Sequence, residues 1–159
     1  MIRRKIRLQR LTFGSTSAVV TSIGLVVGFA STRTSRATLI AGLLIVGIAD
    51  NLTDSLSVHL YQEAEGLESQ EAFVSTVTNF VARLAITATF IALVATLEGG
   101  WLIAIVTIWG LALLGILTVA LAHQRHVPVF REIVRHFAIA IAVIGLSRAI
   151  GVFVNANFG

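Results

Sequence analysis

The chain has 159 residues, 56% of them hydrophobic and only 13% charged, with a mean hydropathy of +0.90. This balance excludes an ordinary soluble domain and makes the chain an integral membrane protein. The net charge of +4 does not point to nucleic acid, because the excess sits in RRKIRLQR near the start and in HQRHVPVFREIVRH, where topology and anionic headgroups account for it. The chain has no cysteine, so disulfides and thiolate metal sites are excluded.

The opening MIRRKIRLQRLTFG precedes an apolar run flecked with polar residues, without a small-residue cleavage site, and reads as the lead into a retained first span. Apolar runs of helix length predict five spans, at about 11–31, 38–61, 72–97, 101–122 and 134–155, each able to cross roughly 30 Å of hydrocarbon at 1.5 Å per residue. Their connections, STRTSR, QEAEGLESQE, EGG and HQRHVPVFRE, are short, and the single proline, Pro128, falls in the last. The expected fold is therefore all-α: one transmembrane domain over residues 1–159, a bundle of five helices that are antiparallel to their neighbours. Arg3, Arg4, Lys5, Arg7, Arg10, Arg125, Arg131 and Arg135 would share one side, against Arg33 and Arg36 on the other, which predicts an N-inside, C-outside orientation.

In span 1, Gly24 and Gly28 of GLVVG form a small-xxx-small pair suited to close helix contact. Span 2 carries Asp50 and Asp54 four residues apart and so on one face, which Ser57 and Tyr61 extend toward the cytoplasmic end. Arg83 in span 3 and Arg148 in span 5 are the other charges singled out inside the spans; each would be costly in lipid unless paired. Counted from the cytoplasmic edge, Asp54 lies about 10 Å deep, Arg83 about 13 Å, Asp50 about 16 Å and Arg148 about 19 Å. These depths predict the pairs Arg83–Asp54 and Arg148–Asp50. Two readings stay open: the pairs neutralise each other and fix the bundle, or the carboxylates line an ion or proton path.

His59 and Glu63 are again four apart, and Glu63, Glu65, Glu68 and Glu71 gather at the cytoplasmic mouth, either as a solvated helix end or as a means of concentrating cations. His123 and His126 are spaced for a metal site or for an interfacial cap. No phosphate-cradling glycine loop, GxSxG or HExxH is present, and no enzyme is expected.

The order of these motifs resembles the vacuolar iron transporter family, in the short form without a cytoplasmic metal-binding insertion, over nearly the whole chain. Span 1 is similar to the family's FG-x-x-DG and LVAG elements through Phe13, Gly14, Leu25, Val26 and Gly28. Span 2 resembles its AGL, AD-x-x-SM and YL elements through Ala41, Gly42, Leu43, Ala49, Asp50, Thr53, Leu60 and Glu65. The closing FREIVRHFAIAIAVIGLSRAIG looks like the family's last helix. Departures fall at the metal site: the family's first-span Asp is Ser17, its Gly is Ala18, the Met of SM is Asp54, and the following Glu and Tyr are Val58 and His59.

The resemblance implies a homodimer with its path near the seam between first helices, moving Fe²⁺ or Mn²⁺ out of the cytoplasm in exchange for protons. The expected transport path holds Asp50, Asp54, Ser17 and His59, with Asp50 and Asp54 as the metal carboxylates, Glu63, Glu65 and Glu68 at its cytoplasmic mouth, and Arg83 and Arg148 pairing charge. Such an oxygen-rich set suits a hard cation. No resident cofactor is expected; the cation is cargo, and the membrane is read as a bacterial or archaeal plasma membrane. The alternative is a non-transporting dimeric scaffold or partner subunit that keeps the fold with a degraded site.

Overall fold

In the computed structural model the backbone is described for residues 2–97 and 99–159, and side chains from Gly14 onward apart from Glu98. The basic residues Arg3, Arg4, Lys5, Arg7 and Arg10 and the motif residue Phe13 lie outside the described side chains. Five helices follow one another: α1 Ile2–Ser31, α2 Arg36–Ala64, α3 Ser69–Thr96, α4 Leu102–Arg125 and α5 Val129–Phe158. All five are long and apolar enough to cross a membrane. Each extends past the predicted span at one end or both, because hydropathy registers only the lipid-facing stretch whereas backbone hydrogen bonding carries the helix on into polar residues.

Local chemistry sets the turns. The Ser35 hydroxyl accepts from the Thr38 amide at 3.1 Å and starts α2. Gly66, at φ 79°, takes the left-handed turn between α2 and α3 that few other residues tolerate. His126 adopts a left-handed conformation as the cap of α4, and Pro128 then opens α5. At the far end Arg36 donates to the carbonyls of Ala95 and Leu97, at 3.3 and 3.2 Å, and ties the start of α2 to the end of α3.

Helix α1 is the centre of the bundle and touches all four others. Half of its described span is buried, against 11% of α5. Val19, Ile23, Val26 and Val27 of α1 meet Leu39 and Leu43 of α2, Phe90 and Val94 of α3, Val106 and Leu114 of α4 and Ala140 of α5 in one core. Outward-facing residues such as Ile45, Leu60, Ile108, Ile116 and Phe153 remain exposed, as a lipid solvent requires. Gly24 and Gly28, expected to make a helix contact, pack within the chain against Ser147 of α5, and a Cβ on Gly24 would also crowd Val143 at 2.9 Å.

Helices α2 and α3 pack on one side of α1, and α4 and α5 on the other; α2 and α5 do not touch among the described residues. The gap between them leaves the stretch of α1 around Ser17 and Thr21 open.

Candidate functional site

That gap is a cleft of about 920 Å³ toward the N-terminal end of the bundle. Helix α1 contributes Gly14, Ser17 and Thr21, α2 contributes Asp54, Ser57, Tyr61 and Gln62, and α3 contributes Asn79 and Arg83; Arg125 of α4 and His136 of α5 face them from the other wall.

At its inner end Arg83, only 1% exposed, holds both aspartates. Its Nη1 is 2.5 Å from Asp54 Oδ2 and its Nη2 is 2.9 Å from Asp50 Oδ2. Nη1 also donates to the Gly14 carbonyl at 3.0 Å, and Nε to Asn51 Oδ1 at 2.7 Å. One guanidinium can serve two carboxylates because Asp50 and Asp54, four residues apart on α2, present adjacent oxygens to its planar fork. With both ionised, the three side chains carry one net negative charge. The carboxylates stay partly open, at 37% and 42% exposure.

The expected pair Arg83–Asp54 is present, but Arg148 does not pair with Asp50. Arg148 is exposed and has no ion-pair partner among the described residues. It stands nine residues, two and a half helical turns, beyond the cleft-lining Ile139, which turns it to the opposite face of α5. Depth along a span placed it level with Asp50; azimuth separates them.

Among the other expected site residues, Ser17 lines the cleft with Asp54, whereas His59 does not and instead meets Glu63 at 3.4 Å. Glu63, Glu65 and Glu68 also lie off the cleft wall, at the α2–α3 turn, where Glu63 accepts from Ser69 at 3.1 Å. His123 and His126 are exposed. Among the described residues no three His, Asp or Glu side chains converge as metal ligands.

The sequence reading passed over several polar residues. Asn51, Ser55 and Gln62 form one buried stripe of α2, and Asn79, Arg83 and Thr87 the stripe of α3 that packs against it. Their spacings, i, i+4, i+11 and i, i+4, i+8, were a visible signal of polar helix faces. Gln62 donates to Ser75 at 3.1 Å, but among the described residues its Oε1 has no partner, and neither amide atom of Asn79 has one. Both side chains are almost fully buried and line the cleft. Such groups cost about 1–3 kcal/mol each when left unmatched, so they mark places where a polar guest is favoured. Gly14 leaves room for Asn79: a Cβ there would force the Asn79 side chain to shift. His136 of α5, inside the last predicted span, was also missed; it bonds Thr118 at 2.8 Å.

The chain matches no protein-family model, no curated protein and no solved structure.

Proposed function

We propose that the chain is a secondary transporter that moves a divalent metal cation, Mn²⁺ or Fe²⁺, out of the cytoplasm in exchange for protons. One observation carries this reading: the cleft ends on Asp54, in a group whose two carboxylates outnumber its single guanidinium. In the orientation expected from the distribution of Lys and Arg, the cleft end faces the cytoplasm.

The cleft wall carries Gln62, Asn79 and Asp54, whose amide and carboxylate oxygens are hard donors of the kind that suits Mn²⁺. Arg83 acts as the built-in competitor. When a cation takes Asp54, the guanidinium keeps Asp50, Asn51 and the Gly14 carbonyl and is never stranded in a low-dielectric setting. Protonation of the carboxylate from the far side would release the ion.

A second reading, a non-transporting dimeric scaffold or partner subunit, draws on the same residue: Arg83 already satisfies both carboxylates. The two separate in liposomes loaded with a Mn²⁺-sensitive dye under an imposed pH gradient. Transport predicts uptake that falls at least tenfold in Asp54→Asn with folding intact. Flux no greater than that of empty liposomes, for Mn²⁺ and Fe²⁺ alike, rejects transport in favour of the scaffold.

A further inference from the structure

A second cavity, of about 10 Å³, lies among α1, α2 and α3. Thr87 on its wall is one turn further along α3 than Arg83, and Gly47 is one turn before Asn51 on α2, so this cavity lies beyond the ion group as seen from the cleft. The cleft reaches Arg83 and Asp54 but not Asp50, whereas the small cavity reaches Asp50 and neither of the other two. Two carboxylates held by one guanidinium therefore border separate spaces.

Asn51 sets the chemistry of the inner space. It is 1% exposed and lines the cavity, and its Nδ2 has no hydrogen-bond partner among the described residues. The sense of its amide is fixed by a neighbour. Arg83 Nε, at 2.7 Å, can only donate, so it takes the Asn51 oxygen and leaves the NH₂ group as the free end. A guest must then accept a hydrogen bond from that donor. Acceptors for the guest's own hydrogens stand on the same wall. Asp50 gives one oxygen to Arg83 at 2.9 Å and keeps the other, and the Thr87 hydroxyl donates to the Arg83 carbonyl at 3.2 Å but keeps its lone pairs.

We propose that this cavity is a binding site for a single water molecule, held by Asn51, Asp50 and Thr87, and that it rejects metal cations. The volume matches one water, which needs about 10–15 Å³ and two to four polar partners. A cation of similar size would meet the hydrogens of an amide that cannot turn without stranding Arg83 Nε. Mn²⁺ would also have to enter without any of its own water. The assignment stands whether or not the chain transports. Under the transport reading it adds that the cation stops at Asp54 in this conformation, with Arg83 as the partition between cleft and inner cavity.

A crystal structure of the purified chain grown with Mn²⁺, at a resolution that shows ordered water, tests this directly. The expected result is a density peak within hydrogen-bond distance of Asn51 Nδ2 that carries no anomalous manganese signal. A manganese signal in the cavity, or no peak there, overturns the proposal. Thermal unfolding in detergent gives a second measurement. Thr87→Val keeps the shape of the side chain but removes its lone pairs, and should lower the midpoint by about 2–4 °C, the size expected for one net hydrogen bond. Thr78→Val is the control: its hydroxyl likewise donates to the carbonyl four residues back, that of Val74, but on the exposed face of α3, and its loss should leave the midpoint unchanged. Equal midpoints for the two variants overturn the proposal, and should Thr87→Val fail to fold, the density alone decides. Neither measurement reads flux, so failure here leaves the liposome test of transport standing.

Discussion

Arg83 is buried to 1% exposure and contacts Asp50, Asp54, Asn51 and the Gly14 carbonyl, so it joins three helices through one side chain. Removing one partner of a buried charge group typically costs about 3–5 kcal/mol, because the remaining charges lose their compensation. Arg83→Gln should therefore lower stability in a detergent unfolding titration, by less than that amount because the aspartates left behind are 37% and 42% exposed. Adding Asp50→Asn should restore part of the loss, since the surviving carboxylate then has no like-charged neighbour; strictly additive losses would show that Arg83 and Asp50 are uncoupled. The sequence disclosed the aspartates and Arg83, because ionisable groups in an apolar run are conspicuous. The spacing of Asn51, Gln62 and Asn79 marked polar helix faces, but only burial shows which of their amide atoms lack partners among the described residues. Arg148 marks the limit of depth reckoning, which fixes a residue's height along a span but not the direction it faces.

At the level of helices, the five spans were legible because a long apolar run has few alternatives in a chain this hydrophobic. Their packing partners were not, since Gly24 and Gly28 announce a close contact without naming the helix that makes it. The structure assigns that contact to α5, where the fit depends on small residues of both helices. A Cβ on Gly151 would strike the carbonyl oxygen of Gly28 and approach Ser31 Cβ at 2.7 Å, whereas one on Gly145 meets nothing within 4 Å. Gly151→Val should thus force α1 and α5 apart and cost about 1–3 kcal/mol, as overpacking does. Gly145→Ala should be neutral or stabilise by about 0.5–1 kcal/mol, through the lower backbone entropy of alanine. Thermal unfolding in detergent compares the two, and equal destabilisation would contradict the α1–α5 packing described above.

Across the whole molecule, the separation of α2 from α5 opens the cleft toward one end of the bundle, while apolar side chains elsewhere on the surface face lipid. Solvent access should therefore follow the cleft rather than exposure in the isolated chain. The absence of native cysteine allows single probes without background. In sealed vesicles of known orientation, Ser57→Cys and Tyr61→Cys, both on the cleft wall, should react with a membrane-impermeant maleimide from the N-terminal side. Ile45→Cys should react from neither side, although Ile45 is 67% exposed in the chain, because its surroundings are acyl chains. Equal labelling of Ser57→Cys from both sides would mean that the cleft runs through the bundle, and rapid labelling of Ile45→Cys would mean that α2 is not set in lipid as described. Under the transport reading, Mn²⁺ should also slow modification at Ser57→Cys, since this residue is three positions along α2 from Asp54, on the same wall. Slowing by Mn²⁺ that persists in Asp54→Asn would place the ion elsewhere in the cleft.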